Sequence, residues 1–426
     1  MATGIPLNKI RSNDENFTIE YKNKMPVEEI LDLDKSNIKH ALSIDIKKSL
    51  DDWRNRLYYG DNLEILLNLV NDENVRGKVK LIYIDPPYGT NCAFVCREQK
   101  EAYIDNLVGA KFLEFLRKRL ILLRELLADD GSIYVHLDEK MAFPVKIIMD
   151  EIFGSKNYRN FITRQKCNRK NSTSKKYGNI SDYIMFYTKS NKYTWNRAYE
   201  PWSEEDMKKQ YPCIDEETGR RYKKVPIHAP GIRNGETGKE WRGMMPPKGK
   251  HWQYLPSKLD EFDAKGEIYW SATGNPRRKV FFDNSDGIAV QDIWLDTKDI
   301  INQNDKITGY PTEKHINLLN RIVMASSNEN DIVLDCFSGS GTTLVSAELN
   351  NRKWIGIDCG LHAIETTIKR FAYGSKIMGD YVEKNKSNDN EEKQLLLKTN
   401  MDIFYEEDNI DILEHVTELK DMFKKG

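Results

Sequence analysis

Two short stretches carry the residue types that chemistry needs. The first is Asp85-Pro86-Pro87-Tyr88, directly after the apolar run VKLIYI. Such a run ending in a carboxylate reads as a buried parallel strand, and in an open α/β sheet ligands gather beyond the carboxyl ends of the strands. A conjugated amine such as the adenine N6 group is a poor nucleophile because its lone pair is delocalised into the ring. A fixed carboxylate (Asp85) and a fixed backbone carbonyl (Pro86) accepting its two N–H bonds would favour the pyramidal, more nucleophilic form. The two prolines hold both acceptors still. Tyr88 would stack on the base, a contact worth about 1–3 kcal/mol against the few kcal/mol that extruding a base costs. Taken alone, the tetrapeptide is equally well an ordinary turn after a strand.

The second stretch is Asp335-Cys336-Phe337-Ser338-Gly339-Ser340-Gly341-Thr342-Thr343. Its two glycines permit a tight turn and close approach of a ligand to backbone N–H groups at a helix N-terminus. A phosphate-binding Walker loop requires lysine where Thr342 stands, and a dinucleotide fingerprint requires a third glycine where Leu344 stands. An adenosine-type cofactor without a pyrophosphate remains. Asp358 ends the next apolar run, KWIGID, 23 positions after Asp335, where an acid would hold ribose hydroxyls. An αβ turn that binds nothing is the competing account of this motif.

The elements around these stretches have the texture of an α/β protein. LYYGDNLEILLNL reads as a strand, a turn and a helix. KFLEFLRKRLILLRELL places Leu113, Leu116, Leu120, Leu123 and Leu127 at helical spacing up to Asp130-Gly131, and SIYVHLD follows as a strand. Strand, helix, strand implies a parallel sheet. From Tyr310 the texture resumes with a helix in HINLLNRIVMAS, a strand in DIVLDCF, a helix in TTLVSAELN and a helix ending near Tyr373. Between the halves, residues 152–181 hold no acid but eight cations: Lys156, Arg159, Arg164, Lys166, Arg169, Lys170, Lys175 and Lys176. Beside a sheet edge that performs chemistry, such a run favours phosphate contacts, which position DNA without reading its sequence. Beyond it, Trp241, Trp252, Tyr254 and Trp270 interleave with basic residues in a Gly/Pro-punctuated stretch, as small-domain core or as base-stacking groups.

The two motifs together resemble the amino-methylating DNA methyltransferases of the permuted (β) class, in which Asp-Pro-Pro-Tyr precedes the cofactor glycine loop. YYGDNLEIL, LIYIDPPYGTN, DDGSIYVHLDEKMAFPVKIIMDEIFG, YPTEKHINLLNRIV, DIVLDCFSGSGTT and KWIGIDC all share the likeness, across most of residues 56–372. HWQYLPSKLDEFDAKGEIYWSATGNPRRKVFFDNSDG is similar to the variable region of type III modification subunits. The resemblance implies a Rossmann-like, mostly parallel sheet with helices on both faces and a target-recognition insert. It implies S-adenosylmethionine as methyl donor and adenine N6 of double-stranded DNA, flipped from the stack, as acceptor. Asp85, Pro86, Pro87 and Tyr88 would form the catalytic loop. Cofactor contacts would come from Asp335, Phe337, Ser338, Gly339, Gly341, Thr342, Thr343 and Asp358, with Asp85 shared. Thr312 and Lys314 of YPTEK would help hold the methionine end, and Asp61 and Asn62 would flank the adenine. Cys336, Gly89 and His315 depart from the residues usual at those places. Arg164, Lys166, Arg169, Lys170, Lys175 and Lys176 are the DNA-contact candidates.

Composition sets the outer limits. A chain of 426 residues suggests two or three domains, and 65 Lys plus Arg against 66 Asp plus Glu means that a polyanion must be met by local clusters. The expected division is an accessory segment 1–52, a catalytic half 53–155, a target-recognition insert 156–285, a cofactor half 286–374 and a C-terminal accessory stretch 375–426. Six cysteines with no C-x-x-C pair and no matching histidines argue against a zinc ribbon or disulfide scaffold, and no metal is expected. With no apolar leader and no long uncharged apolar run, a cytoplasmic protein off the membrane is the expectation. N4 methylation of cytosine and a DNA-binding specificity subunit that works with a nuclease stay open as alternatives. So do a homodimer and a restriction subunit as partners. Pro212-Cys213 reads as a chance dipeptide, and His136 and His315 receive no role.

Overall fold

The computed structural model describes residues 17–45, 53–87, 92–95, 101–105, 109–168, 175–299, 306–374, 376–377 and 399–424. Ten strands make one sheet, in the order Ile38–Ile44, Met401–Glu406, Asn55–Tyr59, Lys353–Asp358, Ile332–Asp335, Val79–Ile84, Leu127–Leu137, Ser181–Thr188, Tyr158–Gln165 and Ile293–Trp294. From Met401–Glu406 to Leu127–Leu137 every neighbouring pair is parallel. Ser181–Thr188 runs antiparallel to both of its neighbours. The expected mostly parallel α/β sheet is therefore present.

Helices cover both faces because successive strand residues point to opposite sides. Ile82, Ile84, Ile355 and Ile357 join one apolar cluster with the helices Asn62–Val70, Ala110–Leu126 and Ala142–Phe153. Gly356, between two of those residues, faces the other way. A Cβ there would lie 2.4 Å from Leu344 Cδ1 of the helix Thr342–Leu349, so the missing side chain lets that helix sit on the sheet.

Three boundaries differ from the sequence expectation. Leu127 begins a strand instead of closing the helix, and the strand runs through Asp129, Asp130 and Gly131. A Cβ on Gly131 would meet the backbone oxygen of Val79 at 2.9 Å, so this glycine marks close strand approach and not a turn. The segments taken as accessory supply Ile38–Ile44 and Met401–Glu406, two strands of the main sheet. A small strand and helix are expected within 395–424 and are found there, whereas the first 52 residues read as a helix or two, so the strand Ile38–Ile44 is the element that the sequence reading lacks. The insert is also shorter than 156–285. Tyr158–Gln165 and Ser181–Thr188 belong to the sheet, and the second compact unit is Tyr199–Val290.

That second unit has its own four-stranded antiparallel sheet and a helix, Pro256–Ala264, over a core of Ile227, Trp241, Trp252, Leu259, Phe262 and Ile268. Trp241 and Trp252 are thus core residues. Their indole N–H groups donate to Asp260 (2.9 Å) and to the Lys239 carbonyl (2.9 Å), which offsets the cost of burying them.

Candidate active site

The chain leaves Ile332–Asp335 toward one side of the sheet, reaching Lys353–Asp358 next door. It leaves Val79–Ile84 toward the other side, reaching Leu127–Leu137. These two strands are neighbours, so the reversal opens a crevice between their carboxyl ends, the place where such sheets bind ligands. A cavity of about 320 Å³ lies there, and Asp85 and Pro87 share its wall with Asp335, Phe337, Ser338, Gly339, Thr342, Thr343 and Asp358. Asp61, Asn62, Thr312 and Lys314 complete the group. The two motifs, far apart in sequence, meet. Pro86 is buried and Gly341 lies behind the loop; neither is on the wall. Tyr88 and Gly89 lie outside the described residues.

The glycine loop is held from within. Asp335 accepts hydrogen bonds from the Phe337 N–H (3.0 Å) and the Thr343 hydroxyl (2.5 Å), tying the turn to the start of its helix. Burial pushes the Asp335 carboxyl up to about 7, and those two bonds offset only part of that rise. Asp358 accepts from the N–H groups of Gly339 (2.8 Å) and Gly360 (2.9 Å), and burial raises it too. Gly339 and Gly341 have φ of 49° and 73°, and a Cβ on Gly341 would come within 2.7 Å of the Thr367 hydroxyl. The Thr342 hydroxyl accepts from Arg370 (2.8 Å). The buried Ser338 hydroxyl has no hydrogen-bond partner among the described residues. Thr342 and Thr343 are therefore engaged inside the protein, and the Ser338 hydroxyl is enclosed next to the cavity.

At another part of the wall, Asp61 caps the helix Asn62–Val70 by accepting from Leu63 N–H (2.7 Å) and also accepts from Arg119 (2.7 Å). The Asn62 amide donates to the Cys336 carbonyl (2.6 Å) and accepts from Arg119 Nε. Arg119 lies 3.6 Å from the centre of the Phe115 ring, and both line the cavity. The sequence reading passed over these two. Their signal was an arginine buried on the apolar face of a leucine-rich helix, which a polar site nearby would explain.

Asp85 is gripped by Lys314, whose ammonium also donates to the Thr312 carbonyl (3.2 Å). Burial disfavours the Lys314 charge, but Asp85 and Asp299 outweigh that and hold its pKa above the ordinary lysine value. Behind Asp85 stands His136, with Nδ1 3.8 Å from Asp85 Oδ1 and 2.8 Å from the Tyr83 hydroxyl. Its Nε2 lies 2.9 Å from Asp182 Oδ2. Asp182 in turn meets Arg164 at 3.0 Å, and Arg164 meets Asp299 at 2.5 Å. His315 caps the helix Ile316–Ser326, its Nδ1 accepting from the Asn317 N–H at 3.1 Å.

Arg164 must therefore leave the DNA-contact set. It is fully buried and spends its guanidinium on Asp182, Asp299 and the Thr297 carbonyl. Strand alternation sends Ile162 and Arg164 inward together, and counting charges along the chain cannot show that. Lys166 is half-buried, Lys175 and Lys176 are exposed, and Arg169 and Lys170 lie outside the described residues. Cys213 opens a two-residue strand of the second unit and does not line the cavity.

The chain is similar to known proteins. A family model described as DNA methylase matches residues 79–369. The Type II methyltransferase M.EcaI of Enterobacter cloacae is 48% identical over 366 residues, covering 86% of this chain and 80% of that protein. The StyLTI Mod subunit, a type III restriction-modification enzyme of Salmonella typhimurium, is 27% identical over 364 residues. That match covers 76% of this chain, which spans about half (54%) of the Mod subunit. The crystal structure of the M1.HpyAVI–SAM complex aligns with 74% of this chain and 98% of that one, at 17% identity and a TM-score of 0.40. The family match spans both motifs and the elements that bring them to one crevice, and the chain belongs to the N6/N4 family of DNA methylases.

Proposed function

We propose that this methyltransferase moves a methyl group from S-adenosylmethionine to the N6 amine of an adenine flipped out of duplex DNA. The observation that carries the proposal is that Asp85 and the Asp335–Thr343 loop share one cavity. The wall suits an adenosine with a short cationic tail. It offers aromatic surface at Phe337 and Phe115 and the acids Asp335 and Asp358. When bound, S-adenosylmethionine supplies an electrophilic methyl carbon on a sulfonium.

The chain's own residues do the rest by holding atoms in place. Lys314 fixes the Asp85 carboxylate, so an amine arriving at that carboxylate meets an acceptor whose orientation is already set. The Pro86 carbonyl is assigned as the second acceptor and Tyr88 as the aromatic that stacks on the extruded base. An aspartate at the first position of the motif favours adenine over cytosine. Exposed Lys175 and Lys176 are assigned to phosphate contacts, with the second unit as the sequence-reading element. Activity of the chain by itself, without a restriction subunit, is supported by its coverage of most of a relative named a type II methyltransferase. Cytoplasmic residence accords with a DNA substrate, and no helix among the described residues is long and apolar enough to cross a membrane.

Asp85→Ala is expected to leave S-adenosylmethionine affinity within a few-fold of wild type while lowering transfer to duplex DNA by at least about 10³-fold. Tritiated methyl uptake by the isolated protein measures this, and mass spectrometry of the digested product identifies N6-methyladenine. Near wild-type transfer by the variant, or N4-methylcytosine as the product, would refute the assignment.

A further inference from the structure

The fold keeps a closed ring of charged and polar side chains in a place where burial makes charges costly. Asp85 pairs with Lys314 and faces His136. His136 faces Asp182, which pairs with Arg164, which pairs with Asp299, whose charge acts back on Lys314. His136 and Arg164 are fully buried, and Asp182 and Lys314 are less than a tenth exposed. The strands carrying Asp85, His136, Asp182 and Arg164 are successive neighbours in the sheet, so the row is built into its register. Three carboxylates face two permanent cations and one imidazole. With the imidazole neutral the ring carries one surplus negative charge, and one added proton cancels it.

The reaction produces one proton. An amine that gains a methyl group becomes a cation and must lose an N–H. Asp85 is next to that nitrogen in the assignment above, but its carboxylate is already held by the Lys314 ammonium. A stronger acceptor stands directly behind it. Asp182 Oδ2, 2.9 Å from Nε2, favours the tautomer of His136 with its N–H on that side, which leaves Nδ1, next to the Tyr83 hydroxyl, as the accepting nitrogen.

We propose that His136 is the proton acceptor behind Asp85, and that Asp182 is the residue that positions it. The N–H bond of the methylated amine breaks as an O–H bond forms at Asp85 Oδ1. That O–H bond then breaks as an N–H bond forms at His136 Nδ1, a transfer that requires the 3.8 Å between them to close to hydrogen-bond distance or be bridged by one water. The Tyr83 hydroxyl, 2.8 Å from Nδ1, turns from donor to acceptor as the imidazolium forms. The groups facing the imidazole are Tyr83 and Asp85 on one side and Asp182 on the other, with Arg164, Asp299 and Lys314 one contact further out. His136 acts through Asp85, so this inference rests on Asp85 being the amine's acceptor.

The test is single-turnover methyl transfer to duplex DNA at saturating S-adenosylmethionine, followed across acid to alkaline pH. In the wild type an imidazole already protonated has no capacity left, so the rate falls as pH falls. His136→Gln is expected to lower the rate about 10²-fold or more and to abolish that acid limb. Asp182→Asn removes the carboxylate that positions the imidazole, so it lowers the rate, and adding it to His136→Gln lowers the rate little further. Retained cofactor affinity in both variants shows that the fold is intact; if His136→Gln loses it, Asp182→Asn decides alone. A slow His136→Gln enzyme with the wild-type limb would make the histidine merely structural and overturn the proposal. So would a near wild-type rate in either variant. If Asp85→Ala is inactive while His136→Gln matches wild type, the Asp85 assignment stands and this inference alone fails.

Discussion

Asp335 is a carboxylate kept where a charge is unwelcome. Its side chain is buried, its two hydrogen bonds come from Phe337 N–H and Thr343, and its carboxyl is raised from 3.8 to about 7. A group raised in the folded state adds stability below its unfolded pKa, and the contribution is lost as pH climbs through the folded one. The cofactor-free protein should therefore lose part of its stability between about pH 4 and about pH 7, roughly 1.4 kcal/mol for each unit of the shift. In Asp335→Asn that component should be missing, which urea midpoints of the two proteins at several pH values would measure as a difference. Equal pH slopes would mean that the acid is ionised in the free protein. The type of residue was legible in the sequence, and so was its place after an apolar strand. Its protonation was not, because that depends on how completely other segments cover it.

The helix Thr342–Leu349 shows what an element asks of its cap. Its first turn must start from the glycine loop, and Gly341 precedes it in the left-handed region at φ 73°. An alanine there would be strained in backbone and would press on Thr367, whose own hydroxyl donates to the Gly339 carbonyl at 3.2 Å. Gly341→Ala is expected to cost about 1–3 kcal/mol and to weaken cofactor binding along with it. Chemical denaturation and a binding isotherm check this together, and an unchanged denaturation midpoint would show that the loop can relax around the methyl group. The glycine spacing marked this turn in the sequence, although the partner it must avoid, Thr367, is contributed by a later helix. The strand Met401–Glu406 is the opposite case. Six residues without a motif gave no sign that they would lie between Ile38–Ile44 and Asn55–Tyr59, since pairing is decided by what the neighbours leave exposed.

For the molecule as a whole, charge is balanced and DNA attraction must be local. Among the described cations of residues 152–181, Arg164 is buried within its strand whereas Lys156, Lys175 and Lys176 outside it are exposed, and only the exposed ones can reach a phosphate. Lys175→Ala combined with Lys176→Ala should weaken binding to any duplex alike and flatten its dependence on salt. The slope of log K against log salt should shrink by about 0.9 for each phosphate contact removed. Fluorescence anisotropy over a salt series would record it, and an unchanged slope would move the phosphate contacts elsewhere. Arg164 belongs on the other side of this division. It holds Asp182 and Asp299, and its removal would leave the buried Asp182 carboxylate without that partner.

By itself the sequence determined the chemistry available to this protein: a carboxylate and carbonyl pair after one strand, a glycine turn and a second acid after two others, and the parallel sheet that such strands require. Local composition carries that information because the apolar runs, glycines and prolines act within a few residues of themselves. Only the tertiary structure decided which charges meet. The pairing of Asp85 with Lys314, the placement of His136 between Asp85 and Asp182, and the burial of Arg164 join segments separated by tens to hundreds of positions. Electrostatic partnership depends on distance and on exclusion of water, and both are properties of the folded sheet edge, which no stretch of the chain possesses before it is assembled.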